Sequence, residues 1–497
     1  MERGSMEIKS STVKEILERY KTIWALNHAS GVLGWDREVY MPEEGIGGRS
    51  LAAAEIAKLI QKLMLDESFV KLIDKAKEER DLTDDERGII RMLERDLKFY
   101  RRVPPEIVAE FAKTTSEAFV AWRTAKEKAD FKIFAPYLER IVELTRVIAD
   151  KLGYDEHPYD ALLDLYEEGL TSRDVDSIFS VLEPGIRRLL GRLEARGWPR
   201  SHPLEEEPYD RQSMEAAIRE VLGLIGYPQR RFRLDVSPHP FTTGLASPFD
   251  VRITVRYPPR DFREPLFSAI HEFGHALYEL QIDESYAFTP IGTGVSLGVH
   301  ESQSRFWENI VGRSRGFTAH IAPILRRHLP FLSKYSDDDL YYYFNIVRPS
   351  LIRTEADEVT YNLHILLRYR LERLMVAGEV KVADLPALWN DEMEKLLGIR
   401  PKNDAEGVLQ DIHWSHGSIG YFPTYTLGNV IAAQIRHAFG TLEEAVAAGR
   451  FAEIKEWLRE KIHRWGAVYP PKELVRRATG ETYNPTYLLN YLENKYK

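Results

Sequence analysis

The 497-residue chain contains no cysteine. This excludes disulfides, thiolate metal ligands and cysteine nucleophiles, so any bound metal must sit on histidine or carboxylate side chains. No uninterrupted apolar run is long enough to cross a bilayer. The charged opening from Met1 to Tyr20 lacks the apolar centre of a secretory signal. An excess of basic charge is missing too: the formal net charge is −9, without the basic footprint that general nucleic-acid binding needs. These absences point to a soluble cytoplasmic protein with neither membrane nor nucleic acid as partner. Asn and Gln are sparse, whereas Glu, Lys and Arg are abundant, a balance that fits a thermophilic source. The opening Met1-Glu2-Arg3-Gly4-Ser5 ahead of Met6 reads as a remnant of expression and carries no weight.

What is present suffices for a large core: 44% of residues are hydrophobic and 29% charged. Apolar residues recur at spacings of three and four from Val13 to Leu33, Ala52 to Leu65 and Ile107 to Glu127. The same period runs through Ile133 to Leu152, Val175 to Arg196 and Met214 to Leu224. The pattern predicts a mostly α-helical fold. Arg231 to Tyr257 is the exception, where β-branched alternation bounded by Pro and Gly predicts a small antiparallel sheet. There is no internal repeat, and no linker demands a boundary. The expectation is one catalytic domain over residues 1–497, in two lobes around a groove.

The strongest local feature is His271-Glu272-Phe273-Gly274-His275. Histidines four apart lie on one helix face, a turn from each other, so both imidazoles can reach one ion. Pro265 suits the first turn of the helix that would carry them. Glu272 is rotated away from the metal-facing stripe but can reach a water on the ion. Zinc lowers the pKa of such a water to about 7, which lets a carboxylate act as general base. Gly274, a poor helix former, implies close packing against another element.

A catalytic zinc takes three protein ligands and keeps one open position. Glu301 follows His275 by 26 residues, after a Gly-rich loop from Gly292 to Gly298, and opens a further helical run. His300 competes for the role, but neighbours on a helix point about 100° apart, so one of the two faces the metal. Glu301 is the expected third ligand. Arg305, one turn on, either holds its carboxylate or forms an ordinary surface pair.

Further polar clusters lie along the chain. His239, between Pro238 and Pro240, contacts substrate or makes a structural hydrogen bond. Arg252 shares a strand face with Asp250 and Thr254, and its planar fork suits a peptide carboxylate. Pro349 is expected to open a long helix through Ala377, with Arg353, Asp357 and Tyr361 on one face and His364 close by. Arg353 is then a second carboxylate-binding candidate. His413, His416, Tyr421 and Tyr425 can donate to an oxyanion; Tyr425 and His413 are preferred.

In this order the motifs resemble those of the carboxypeptidase Taq family. They are His239-Pro240-Phe241, Asp250-x-Arg252-x-Thr254, His271-Glu272-Phe273-Gly274-His275 and His300-Glu301-Ser302-Gln303. Ile352-Arg353-Thr354-Glu355-Ala356-Asp357 and Gly407-x-x-Gln410-Asp411-x-His413-Trp414 complete the set, with Leu33-Gly34-Trp35-Asp36 and Tyr40-Met41-Pro42 near the start. The resemblance covers almost the whole chain. It implies a helical fold similar to neurolysin and angiotensin-converting enzyme, with a deep groove whose entrance the N-terminal helices, about residues 1–100, narrow. It also implies a homodimer and release of single C-terminal residues from peptides, with broad side-chain tolerance and poor action beside proline. One divalent metal per chain, zinc or cobalt, would sit on His271, His275 and Glu301, with Glu272 as general base. An endo-acting oligopeptidase on the same fold and a non-catalytic helical binding protein are the competing readings.

Overall fold

Apolar spacing anticipates the helices closely. The computed structural model describes residues 5–245 and 247–497, so four of the five opening residues, Met1 to Gly4, lie outside the described residues. Helices at Ser11–Val39, Ile46–Met64, Pro105–Lys128, Ala135–Leu152, Ser172–Arg196 and Arg211–Ile225 cover the six periodic segments. The chain divides into two units. The first comprises Met1–Leu97, Ser201–Phe344 and Ile435–Thr482, and the second Lys98–Arg200, Asn345–Gln434 and Tyr483–Lys497.

In the first unit, Ser10 caps the Ser11–Val39 helix by accepting from the Val13 amide at 3.2 Å. Val13, Ile16 and Ile23 bury the inner stripe of that helix. Three strands come next: β1 (Phe232–Val236), β2 (Thr242–Thr243) and β3 (Val251–Val255). Their order is β1-β3-β2. The sheet is mixed rather than antiparallel, because β1 runs parallel to β3 while β2 runs antiparallel to it. The Ser237–Asp250 connection explains this. It is long enough to carry the chain back to the starting end of β1, and it contributes β2 on the way.

The central strand packs on the helix Arg263–Leu280. Leu266, Ile270, Phe273 and Leu277 of this helix are buried. Each such side chain stabilises the unit by about 1.5–3 kcal/mol relative to exposure. A second helix, Leu297–Arg305, packs against it and runs directly into a wide π-helical turn at Phe306–Val311. That turn closes with the Gly312 amide donating to the Trp307 carbonyl at 2.8 Å.

In the second unit, the helix Tyr361–Ala377 is buried on nearly every side. It packs against Pro158–Tyr166, Ser172–Arg196 and Leu385–Leu397, which explains why its sequence shows no clean polar face. It starts at Tyr361, not near Pro349. Asp357 accepts backbone hydrogen bonds from Arg348, Val359 and Thr360, at 3.1, 3.0 and 2.9 Å, and so gathers the preceding chain into turns instead of a helix. Arg353 therefore lies in a short 3₁₀ turn, Arg353–Glu355. It still meets Tyr361, but across a loop and not along a helix face, at 3.1 Å from its guanidinium to the phenol oxygen.

Candidate metal centre

His271 and His275 project from one face of the Arg263–Leu280 helix, as their spacing predicts, with ring centroids 5.1 Å apart. Glu301 reaches them from the neighbouring Leu297–Arg305 helix. Its Oε2 lies 3.7 Å from His271 Nε2 and 3.3 Å from His275 Nε2. One donor atom from each residue falls within 4.8 Å of the other two, a separation that lets all three reach one ion.

Gly274 makes this approach possible. A Cβ there would stand 2.5 Å from the Gln303 carbonyl oxygen and 2.7 Å from Ser304 Cα, both backbone atoms of the Glu301 helix. The packing partner that Gly274 implied is thus the helix carrying the third donor.

The outer side of the centre is fully engaged. His271 Nδ1 pairs with Glu308 Oε1 at 2.6 Å. Glu308 is gripped in turn by Arg313 at 2.8 Å and approached by Arg305 at 3.7 Å. His275 Nδ1 meets His300 Nδ1 at 2.8 Å, and His300 Nε2 meets Glu279 Oε1 at 2.7 Å. His300 accordingly sits behind His275. Arg305 holds Glu301 Oε1 at 2.9 Å, so it is a partner of that carboxylate and not a surface charge. Glu272 is buried, and the Thr242 hydroxyl on β2 touches both its Oε2 and, at 3.0 Å, its backbone carbonyl.

Electrostatics reflect this geometry. Burial opposes a charged His271, but Glu301 and Glu308 outweigh it and raise its pKa to about 9. Burial prevails at His275, whose pKa is lowered. Burial also opposes ionisation of Glu301 and Glu308. The cations around each overcome it and hold both carboxyls well below their usual range: His271, His275 and Arg305 for Glu301, and Arg305, His271 and Arg313 for Glu308.

The later candidates lie in the second unit. Arg353 and Arg368 share the carboxylate of Asp411, each with a contact at 3.0 Å or closer. Gln410 Oε1 accepts from the Arg353 amide at 2.9 Å and from Arg368 at 2.8 Å. Asp411 stays well below the usual carboxylate range, because these two arginines outweigh the effect of its burial. His413 Nε2 and Tyr425 OH are 3.1 Å apart, and the Arg353 guanidinium lies 5.0 Å from the Tyr425 ring centre. Burial, with Arg353 and Arg368 added and Asp411 opposing, pushes His413 down to about 3, so its ring is neutral at pH 7. Glu372 pins the adjoining loop, accepting from Trp414 Nε1 at 2.7 Å, the Gly420 amide at 2.9 Å and Tyr159 OH at 2.7 Å.

Other candidates resolve differently. His416 is exposed, and Tyr421 packs tilted and edge-on among aromatics, 5.4 Å from Tyr425. In the first unit, Arg252 spends its fork on Asp250, with two contacts of 2.8 Å, and lies 4.4 Å from the Trp35 ring centre. The Leu33-Gly34-Trp35-Asp36 motif thus packs on the strand motif. His239 is exposed, and its backbone carbonyl accepts from Ser237 Oγ at 2.7 Å.

Sequence reasoning assigned no role to Glu308, Glu279 or Thr242. For Glu308 a signal exists: Glu301, Arg305 and Glu308 have the i, i+4, i+7 spacing of one helix face. Glu279 carries the same kind of signal, since it follows His275 by four residues on the Arg263–Leu280 helix; nothing local marks Thr242, which reaches the centre through tertiary packing.

Two imidazole nitrogens and one carboxylate oxygen converge while the outer ring nitrogens are already occupied, a donor set that fits a divalent ion. Helical fold and donor set together define a metallopeptidase. Residues 15–496 match the family described as Carboxypeptidase Taq (M32) metallopeptidase. The chain is 55% identical to thermostable carboxypeptidase 1 of Pyrococcus furiosus over 494 residues, covering 98% of this chain and 99% of the relative. It is 37% identical to carboxypeptidase 1 of Bacillus subtilis, covering 97% of each chain. The solved structure of Pyrococcus furiosus carboxypeptidase superposes with a TM-score of 0.97 at 55% identity, over 99% of this chain and 100% of that one. The chain belongs to the carboxypeptidase Taq (M32) metallopeptidase family and is a metallocarboxypeptidase.

Proposed function

We propose that His271, His275 and Glu301 hold the divalent metal, and that the enzyme releases single residues from peptide C-termini with broad specificity. The observation that carries this is the convergence of one atom from each of the three within 4.8 Å. The ion, zinc or cobalt, would polarise the scissile carbonyl and acidify the attacking water. The chain's own residues do the rest. Glu272 takes a proton from that water through its side-chain carboxylate and later passes it to the leaving amine. Thr242 orients that carboxylate. Neutral His413 and the Tyr425 hydroxyl are the donors for the developing oxyanion.

The free C-terminal carboxylate goes to Arg353 or Arg252. Arg353 is favoured, since it shares a single carboxylate with Arg368, whereas Asp250 balances Arg252 one to one. His239, exposed beside the short strand β2, is assigned to substrate contact. Residues 15–496, matched as one family, act as one catalytic domain. A homodimer in the cytoplasm completes the proposal, together with thermostability supported by the charge-rich composition and by a relative named thermostable. No helix among the described residues is long and apolar enough to cross a membrane.

Mass spectrometry tests the reading. Metal-stripped protein, reloaded with zinc or cobalt, is given one peptide and its C-terminal amide. Single-residue losses from the free acid alone, and only after reloading, are expected. Internal cuts in both peptides would instead move the activity to an endo-acting oligopeptidase.

A further inference from the structure

Beyond the three donors, the structure carries a hydrogen-bonded chain running from buried Glu279 to half-buried His300 and His275, and its hydrogen positions follow from the partners. Glu279, 5% exposed, lies at its far end. Its Oε1 accepts from the Gly294 amide at 3.2 Å and faces His300 Nε2 at 2.7 Å. A carboxylate only accepts, so His300 Nε2 carries the hydrogen and donates. With the single ring hydrogen of that tautomer on Nε2, His300 presents a bare Nδ1. That nitrogen faces His275 Nδ1 at 2.8 Å, so His275 must donate from Nδ1, which leaves its Nε2 lone pair turned toward Glu301 Oε2 at 3.3 Å.

The chain has a built seat. A Cβ on Gly294 would stand 2.5 Å from His300 Cδ2, and one on Gly244 would stand 2.9 Å from Glu279 Cγ. Tyr278 packs on the His300 ring with centroids 4.8 Å apart.

We infer that His300 and Glu279 are positioning residues that fix His275 in the tautomer able to ligate the metal through Nε2. His271 has a shorter device, its Nδ1 paired directly with the Glu308 carboxylate. The two ligands are therefore set by unlike devices, a carboxylate on one side and an imidazole–carboxylate relay on the other. This inference rests on the proposed metal centre of His271, His275 and Glu301.

The test measures zinc affinity of the full-length, metal-stripped protein by competition with a chromophoric chelator, and records the visible spectrum of the cobalt-loaded form. His300→Leu and Glu279→Leu should each weaken zinc binding by about 10–100-fold and alter the cobalt bands. His300→Gln can still accept from His275 Nδ1 and should retain most of the affinity. His300→Lys offers only donors and should bind worst of the series. Zinc binding in His300→Leu as tight as in the unaltered protein, with an unchanged cobalt spectrum, would overturn the relay. Equal losses in His300→Gln and His300→Leu, with matching circular dichroism, would also overturn it. Should His300→Leu not fold, Glu279→Leu against Glu279→Gln decides: equal affinities refute the relay, and a selective loss in Glu279→Leu supports it. If His275→Ala and Glu301→Ala bind zinc as the unaltered protein does, the metal-centre reading falls and the relay with it.

Discussion

Gly274→Ala should reverse the usual effect of placing alanine in a helix. At an exposed helical position the change gains about 1 kcal/mol, because glycine loses more backbone freedom on folding. Here the new methyl would sit 2.5 Å from the Gln303 carbonyl oxygen and 2.7 Å from Ser304 Cα. Both contacts fall short of ordinary van der Waals distance by roughly 0.7–0.9 Å. Neither neighbour is a flexible side chain, so the two helices must part. Overpacking of this kind costs about 1–3 kcal/mol, which cancels the helix gain of about 1 kcal/mol and leaves a net loss of up to about 2 kcal/mol. The displacement also acts on function. Glu301 stands on the helix that moves, and metal–ligand distances tolerate about 0.2 Å. Zinc affinity should therefore fall at least about tenfold, equivalent to about 1.4 kcal/mol. Thermal melts of the metal-stripped protein read the first effect, and chelator competition reads the second. A higher melting temperature combined with undiminished zinc affinity would refute the reasoning.

Glu272→Gln should lower kcat by about 10²–10⁴-fold while zinc still binds, and near-normal turnover would remove Glu272 from proton transfer. Burial raises the Glu372 pKa to about 7, so above that pH it is an acceptor-only group meeting three donors, and in Glu372→Gln the misplaced amide should cost about 1–3 kcal/mol in denaturant melts at about pH 9; an unchanged midpoint there would show that the carboxylate does not pin the loop. Acid should destabilise the fold through His463 and His364. Burial pushes both pKa values from 6.5 to about 3, with Arg368 and Arg353 adding to it at His364. Below about pH 6.5 the unfolded chain takes up protons that these rings refuse. Stability present above that pH is then lost as pH falls toward 3, with a slope approaching about 1.4 kcal/mol per pH unit for each ring. His463 has a geometric reason to stay neutral, since Nε2 donates to Gln303 Oε1 while Nδ1 accepts from Gln281, each at 2.7 Å. Glu372 and Asp357, raised by burial to about 7 and 6, oppose this trend, so the check is His463→Gln: a pH dependence of the midpoint from pH 7 to pH 5 identical to that of the unaltered protein would contradict the assignment.

The sequence was most legible where one helix face carries both the pattern and its consequence. His271 and His275 needed only a period of 3.6, and the helices from Ser11–Val39 to Arg211–Ile225 needed little more. Legibility fell where a side chain overrides the period. Asp357 collects three backbone amides and delays a helix that apolar spacing would start earlier. Strand direction was hidden as well, because alternation fixes which face is buried but not the path of the connection between β1 and β3. Arg252 and Arg353 looked alike as sequence. Only tertiary placement distinguishes an arginine matched to its own Asp250 from one that shares Asp411 with Arg368. Thr242 carries no pattern at all, since it reaches Glu272 from a strand that meets the helix only in the folded chain.

The wide turn at Phe306–Val311 has a consequence for how this region can change over evolutionary time. Glu308 sits inside it, paired with Arg313 five residues ahead, a spacing that an ordinary α-helix would spread to different faces. Deleting one residue there would restore the regular helix and rotate the downstream residues by about 100°. Placed ahead of Glu308, such a deletion would turn the carboxylate behind His271, together with its arginine clamp, away from the ring. Substitutions along this stretch alter single contacts, whereas a one-residue insertion or deletion changes the phase of the whole helix. An altered length in this turn is therefore expected to disturb the carboxylate behind His271 more than a conservative substitution there would.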